Sequence, residues 1–146
     1  ISTNPGESLK PLSQVASGGE LSRIMLAIKT VLAGRDEIDT LILDEIDTGI
    51  SGRTAWKVAE QLSVLSGAHQ VICITHLPQI AAMADVHFVI EKSSTDDMTI
   101  TDIHKVSAEE SLAELARLLG SDALTEAALS NAKEMKEQAG MFKETR

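Results

Sequence analysis

Three short polar motifs carry the residue types that could do chemistry in this sequence. The first is the run SGGE at residues 17–20, the second is the acidic pair Asp44 and Glu45, and the third ends in His76. Glycines at a helix start let backbone N–H groups approach an anion, and the helix dipole favours negative charge there. Carboxylates suit Mg²⁺ binding and general base catalysis, and a histidine can hydrogen-bond to a phosphate oxygen. Together, and in this order, the motifs predict parts of one ATP site.

The SGGE run opens a predicted helix over residues 19–33. Taken alone, such a run is more often an ordinary turn that caps a helix than a phosphate contact. The two later motifs favour the phosphate-binding interpretation. That interpretation assigns ATP contacts to Ser17, Gly18, Gly19 and Glu20.

The acidic pair ends an apolar run that predicts a short strand over Thr40–Leu43, buried on both faces of a sheet. Open α/β sheets bind ligands beyond the carboxyl ends of their strands. Asp44 is therefore predicted to bind Mg²⁺, and Glu45 to act as the general base for an attacking water. Asp47 lies in the polar loop that follows, which could reach across a subunit interface. A plain turn fits that loop equally well.

His76 follows a second apolar run, residues 70–75, which is predicted as a neighbouring buried strand. Adjacent strands would bring His76 close to Glu45 and to a terminal phosphate, where the ring could hold the attacking water. A histidine in a strand-end loop is the structural alternative. Cys73 in the same run is predicted to pack as a small apolar side chain. The other histidines have no metal-ligand spacing and are interpreted as structural or surface residues: His69, His87 and His104.

The order of the elements predicts the fold class. Strand, helix and strand alternate, which indicates an α/β protein with a mostly parallel sheet and helices on both faces. Two further helices are predicted at residues 51–65 and 78–83. A small hairpin is predicted from residues 86–91 and 98–106, and carboxy-terminal helices are predicted over residues 107–146.

Two of the predicted helices carry apolar stripes with the 3.6-residue period of a helix. Each stripe predicts a face packed against the core. The first stripe consists of Leu21, Ile24, Met25, Ile28, Val31 and Leu32, and the second of Ala55, Val58, Ala59, Leu62 and Leu65.

Length and composition narrow the class of protein. The 146 residues, 43% of them hydrophobic, fit one packed domain. The net charge of -9 opposes a large basic nucleic-acid surface on this chain. No apolar run reaches the roughly 18 residues of a membrane span. No G-x-x-x-x-G-K-[ST] motif is present, and the chain starts at Ile1, so the phosphate-binding P-loop is expected outside it.

Over nearly its whole length the sequence resembles the bacterial RecN family of SMC-like ATPases, within the ATP-binding-cassette superfamily. Three blocks carry the resemblance: residues 15–29 (VASGGELSRIMLAIK), 41–52 (LILDEIDTGISG) and 74–85 (ITHLPQIAAMAD). It implies a three-layer, P-loop NTPase-like head built from two distant halves of a chain that a long coiled coil joins. Residues 1–146 would be the carboxy-terminal half, and the amino-terminal half would supply the Walker A motif.

The resemblance also implies roles for the candidate residues. Two heads would sandwich two ATP molecules with Mg²⁺, and Ser17 and Gly19 of one head would face the γ-phosphate held by the other. Asp44 would be the Walker B aspartate and Glu45 the base. Asp47 would belong to the D-loop, and His76 would be the switch histidine.

The function implied by the resemblance is ATP hydrolysis in DNA double-strand break repair and recombination. Such a protein would be cytoplasmic and nucleoid-associated, and it would engage DNA and a second copy of itself but no membrane. Without a P-loop, the chain alone is expected not to hydrolyse ATP.

Two alternatives remain open at this point. A transporter-type cassette would need membrane subunits and usually continues with glutamine after SGG, where this chain has Glu20. The other alternative is a non-catalytic interaction module with the same fold. The pair Asp44 and Glu45 speaks against such a module, because a degenerate site would readily lose its base.

Overall fold

A computed structural model describes residues 17–32, 37–95, 98–120 and 124–145, together with Gly6, Ser8 and Pro11. The predicted end of the first helix at Ala33 lies outside these residues. The described chain is mixed α/β, as the sequence predicts, and divides into two compact units, residues 1–75 and 76–146. Its elements in order are α1 (Gly18–Leu32), β1 (Thr40–Leu43), α2 (Gly52–Leu65), β2 (Gln70–Cys73), α3 (Pro78–Met83), β3 (Phe88–Thr95), β4 (Met98–Lys105), α4 (Ala108–Leu118) and α5 (Glu126–Glu144).

The first unit is built on two parallel strands. β1 and β2 pair side by side with Leu43 opposite Cys73, and α2 forms the crossover between them. The predicted parallel pairing is therefore confirmed. β2 ends at Cys73, two residues before the predicted end at Thr75, although the N–H of Ile74 still donates to the carbonyl of Leu43 at 3.1 Å. The segments after both strands thus leave the sheet at the same edge.

Burial of this sheet differs from the prediction. Leu41 and Leu43 are half-buried, whereas Ile42 is 70% exposed and Ile72 is 45% exposed. Alternate side chains of a strand point to opposite faces. The expectation of a strand buried on both faces is wrong for this chain, because its described residues leave one face open.

The two apolar helix stripes also differ. Every member of the α2 stripe is buried, so that prediction is confirmed. In α1 only Gly19 and Leu26 are buried, and four members of the predicted stripe are exposed: Met25, Ile28, Val31 and Leu32. The prediction of a core-packed face is therefore wrong for that part of α1 in this chain, even though α1 does contact α2.

The second unit packs three helices together and carries a hairpin. α3, α4 and α5 contact one another around a core that includes Ile80, Leu115 and Ala132. β3 and β4 pair in antiparallel fashion, as predicted. β3 starts two residues later than predicted and runs on to Thr95, whereas β4 starts at the predicted Met98 and ends one residue earlier, at Lys105. No helix among the described residues combines the length and the apolar character needed to cross a membrane.

Candidate functional site

The SGGE turn, residues 17–20, caps α1. Glu20 Oε2 accepts hydrogen bonds from the Ser17 N–H at 2.7 Å and from Ser17 Oγ at 3.0 Å, while the Glu20 N–H donates to Ser17 Oγ at 3.4 Å. This reciprocal arrangement satisfies donors that a helix start leaves unpaired. The bonds from the Ser17 backbone and hydroxyl lower the pKa of Glu20 below its ordinary value. The structural interpretation of the motif, a helix cap, is therefore realised.

The two glycines of this turn meet a loop from elsewhere in the unit. A Cβ atom on Gly18 would lie 2.8 Å from Glu45 Oε2. A Cβ atom on Gly19 would lie 2.8 Å from the Glu45 carbonyl oxygen and 3.0 Å from the Thr48 Cβ. Neither glycine has a positive φ, so backbone conformation does not require glycine at these positions. At Gly19 the close approach of the Glu45 backbone requires it, whereas at Gly18 the close atom is the end of the Glu45 side chain.

The loop that approaches them is the acidic loop, residues 44–49, which follows β1. Asp44 Oδ1 accepts from the Glu45 N–H at 2.9 Å, and the Thr48 N–H donates to the Glu45 carbonyl at 3.1 Å. Glu45 has a φ of 57°, in the left-handed region. Such a backbone costs about 1–3 kcal/mol in a residue other than glycine, and it persists only where the surroundings fix it.

Two buried side chains in the middle of the acidic loop fix its position. Ile46 is completely buried and Asp47 is 5% exposed. Thr75 Oγ1 donates to Asp47 Oδ2 at 2.6 Å, which joins the loop after β1 to the segment after β2. The sequence predicts that these two segments are neighbours, and this bond confirms it. Asp47 is held within its own chain, and the exposed part of the loop includes Thr48 and Gly49.

Two residues outside the three candidate motifs hold the acidic loop against α1. Arg23 Nη1 donates to the carbonyl oxygens of Ile46 at 3.1 Å and Thr48 at 2.8 Å. Ser22 Oγ donates to the carbonyl oxygen of Asp44 at 3.2 Å. Helical spacing offered one signal, because Arg23 lies four residues after Gly19 and therefore on the same face of α1.

His76 directly follows Thr75 and is exposed. The boundary between the two units falls between these residues, so His76 is described with the second unit. Its predicted approach to Glu45 stays a prediction.

Asp44 fits the predicted magnesium role in its donor chemistry. It is exposed at the carboxyl end of β1, and one carboxylate oxygen is engaged by the following N–H. In the described part of the chain, no three His, Cys, Asp or Glu side chains are grouped as metal ligands. Mg²⁺ commonly takes only one or two protein carboxylates and completes its shell with phosphate oxygens and water. A single exposed aspartate therefore suits Mg²⁺ better than a metal that needs a full protein cage.

The remaining candidates behave as the sequence predicts. Burial, followed by the charges of Asp47 and Asp44, raises the pKa of Cys73 to about 12, so its thiol stays neutral. His69 is buried with Nδ1 2.6 Å from the carbonyl oxygen of Ile38, and His87 Nδ1 lies 2.9 Å from Ser111 Oγ. These side chains serve local structure.

Comparison with known proteins adds a family relationship. No family model matches the chain. It is 48% identical over 145 residues, 99% of its length, to the DNA repair protein RecN of Bacillus subtilis. It is 51% identical to the protein of that name from Treponema pallidum and 48% identical to the one from Deinococcus radiodurans, over 92% of the chain in both cases. The chain spans about a quarter of these relatives, 25%, 24% and 23% of their lengths, and corresponds to their carboxy-terminal part.

Proposed function

The chain belongs to the RecN family of DNA repair proteins, and from that premise we propose that it is the carboxy-terminal half of an ATP-hydrolysing head. The head would act in DNA double-strand break repair and recombination. A three-layer, P-loop NTPase-like arrangement would form when an amino-terminal half adds the Walker A motif. A nucleoid-associated, cytoplasmic protein fits this function.

One observation carries the proposal. The SGGE turn and the acidic loop are separated by about twenty-five residues in the sequence, yet Gly18 and Gly19 lie directly against Glu45. Their meeting point is at the carboxyl edge of a parallel strand pair, where α/β proteins bind ligands. Two motifs with phosphate and acid–base chemistry therefore share one place, beside a strained backbone at Glu45.

The residues divide the work of hydrolysis as follows. Asp44 would hold Mg²⁺, which neutralises charge on the phosphates of ATP. Glu45 would accept the proton of the attacking water, because its carboxylate is exposed and receives no hydrogen bond from the described residues. His76 would hydrogen-bond to a phosphate oxygen and orient that water.

A second head would complete the site. In that arrangement the SGGE turn of one head would face the γ-phosphate bound by the other. Thr48 and Gly49 are exposed residues of the acidic loop that would be available for contact across the interface. Ser17 would exchange its intrachain bond to Glu20 for one to phosphate. DNA would be engaged through the full-length protein, because this chain carries a net charge of -9.

Replacement of the proposed base tests this function. In the full-length protein, Glu45→Gln keeps the shape of the side chain but removes the proton acceptor. Hydrolysis should fall about 10²–10⁴-fold, the usual contribution of a positioned base. Equilibrium binding of ATP should stay unchanged. Glu37→Gln, at an exposed carboxylate before β1, is the matched control and should hydrolyse at the wild-type rate.

The outcome also separates the competing functions. Turnover by Glu45→Gln within a few-fold of wild type would remove Glu45 from the reaction. Absence of ATP hydrolysis in the wild type would favour the non-catalytic interaction module. The RecN relationship over 92–99% of the chain favours the repair head over a transporter-type cassette.

A further inference from the structure

Arg23 has no role so far in the proposed hydrolysis, although it lies next to the proposed base. Its half-buried guanidinium bridges two carbonyl oxygens, those of Ile46 and Thr48, from a single nitrogen. Both carbonyls belong to the acidic loop, immediately beyond Glu45. Hydrogen bonds from a charged donor are stronger than neutral ones. Arg23 therefore fixes the course of the backbone that carries the proposed base.

That backbone needs to be fixed. Glu45 is in the left-handed region, which a glutamate leaves unless neighbouring contacts hold it. Ser22 holds the chain just before Glu45, and Arg23 holds it just after, so both restraints come from the first turns of α1. The conformation of Glu45 is thus determined by the helix that begins with the SGGE turn.

The turn and the loop also lie close together. A Cβ atom at Gly18 or Gly19 would lie only 2.8 Å from atoms of Glu45, less than a normal contact. Displacement of the SGGE turn towards the loop would therefore displace Glu45, and the bonds from Arg23 would make the loop follow α1 in the other direction.

We propose that Arg23 is a positioning residue that couples the SGGE turn to Glu45 in the same head. This inference rests on the proposed function, in which the turn contacts the γ-phosphate held by a second head. Contact with that phosphate would then adjust the base that serves the first head's own ATP. The two ATP sites of a head pair would be linked through Arg23 within each head.

The test compares Arg23→Met with wild type in the full-length protein. Methionine keeps most of the aliphatic stem and removes the donors. We expect kcat to fall about 10–100-fold, because a misplaced catalytic group loses rate of that order, while the ATP dissociation constant and KM change less than about threefold. Arg23→Lys retains a charged donor and should recover part of the lost kcat. Arg53→Ala is the control, because the exposed Arg53 makes no bond to the described part of the chain.

Amide hydrogen exchange supplies a readout that a merely structural role would not change. In wild type, a slowly hydrolysed ATP analogue should increase protection at residues 17–20 and also at residues 45–50. In Arg23→Met the protection at 17–20 should remain, and the protection at 45–50 should disappear. A drop in kcat accompanied by unchanged protection at 45–50 would overturn the coupling, and so would wild-type kcat.

Failure of this inference is distinguishable from failure of the proposed function. If the analogue protected neither segment in wild type and Glu45→Gln hydrolysed normally, the proposed function itself would be wrong. If wild type behaved as expected and Arg23→Met matched it in both measurements, only the role of Arg23 would be wrong. If the melting temperature shows that Arg23→Met folds poorly, Arg23→Lys and Arg23→Gln replace it in the comparison. Wild-type hydrogen exchange and wild-type kcat in both of these variants would overturn the inference.

Discussion

Two helices of this molecule begin with the same capping arrangement, and only one of them has glycine between its capping residues. Ser17 and Glu20 cap α1, and Ser107 and Glu110 cap α4 with nearly identical bonds: the serine N–H donates to the glutamate Oε2 at 2.7 Å in both. The pKa of each glutamate is lowered by the same two interactions with its serine. Between the capping residues, α1 has two glycines, whereas α4 has Ala108 and Glu109.

The comparison shows that a helix cap of this kind does not itself need glycine between its serine and its glutamate. Alanine and glutamate serve the α4 cap, so capping alone does not explain Gly18 and Gly19. Their explanation is the acidic loop, whose atoms would lie 2.8 Å from a Cβ atom added at either position. Under the proposed function, the same open backbone would later admit a phosphate.

The strongest effect on stability is expected where a Cβ atom added to a glycine would meet backbone. Gly19→Ala should destabilise the chain by about 1–3 kcal/mol, the usual cost of an overfilled site, because the new methyl group meets the backbone carbonyl of Glu45. Urea unfolding measures this change. Gly140→Ala in α5 is the control and should stabilise by about 0.5–1 kcal/mol, since a Cβ there meets no described atom within 4 Å. A stabilising Gly19→Ala would mean that the loop does not press on the turn.

The two caps themselves should respond alike. Ser17→Ala and Ser107→Ala each remove one side-chain cap, and each should cost about 1 kcal/mol. Measured on the same chain by urea unfolding, the two losses should agree within about 0.5 kcal/mol, the usual error of additivity. A loss at Ser17 several times larger than at Ser107 would show that the Ser17 hydroxyl also supports the acidic loop.

The smallest expected effect is on the pH dependence of stability. Both glutamates have a folded-state pKa below the ordinary value of 4.5. The unfolded chain therefore takes up protons first as the pH falls, and the stabilisation, fully present above pH 4.5, is lost through the folded pKa. Glu20→Gln and Glu110→Gln should each flatten the fall in stability below that pH, to a similar and small extent. An unchanged slope in either variant would exclude that capping bond.

The sequence alone predicted those elements correctly whose apolar pattern and packing partner both lie in this chain. The α2 stripe and the parallel pairing of β1 with β2 are such cases. The stripe of α1 has the same period, but Val31 is 81% exposed. Periodicity tells which face is apolar, and it does not tell which chain covers that face. An amino-terminal half of the head would be the cover under the proposed function.

In the candidate site, too, some residues could be proposed from the sequence and others could not. Residue type and order made Ser17, Asp44 and Glu45 candidates, because phosphate and acid–base chemistry need those groups. The bonds that Ser22 and Arg23 donate from α1 to the acidic loop are long-range contacts between segments more than twenty residues apart. Helical spacing places Arg23 on the same face of α1 as Gly19, but it does not tell which loop that face meets, and the strained φ of Glu45 is likewise visible only in three dimensions.

In the proposed head pair the SGGE turn would complete the ATP site of a second head, and Ser17→Arg in the full-length protein tests this arrangement most directly. A large side chain at Ser17 would obstruct the approach of the turn to a phosphate held opposite. Ser107→Arg makes the same change at the matching cap of α4 and controls for loss of the cap alone.

Sedimentation with a slowly hydrolysed ATP analogue, beside equilibrium nucleotide binding, gives the answer. We predict that wild type and Ser107→Arg dimerise, whereas Ser17→Arg stays monomeric and binds nucleotide with unchanged affinity. Normal dimerisation of Ser17→Arg, or loss of nucleotide affinity in its monomer, would contradict a role of the SGGE turn at the ATP site of a second head.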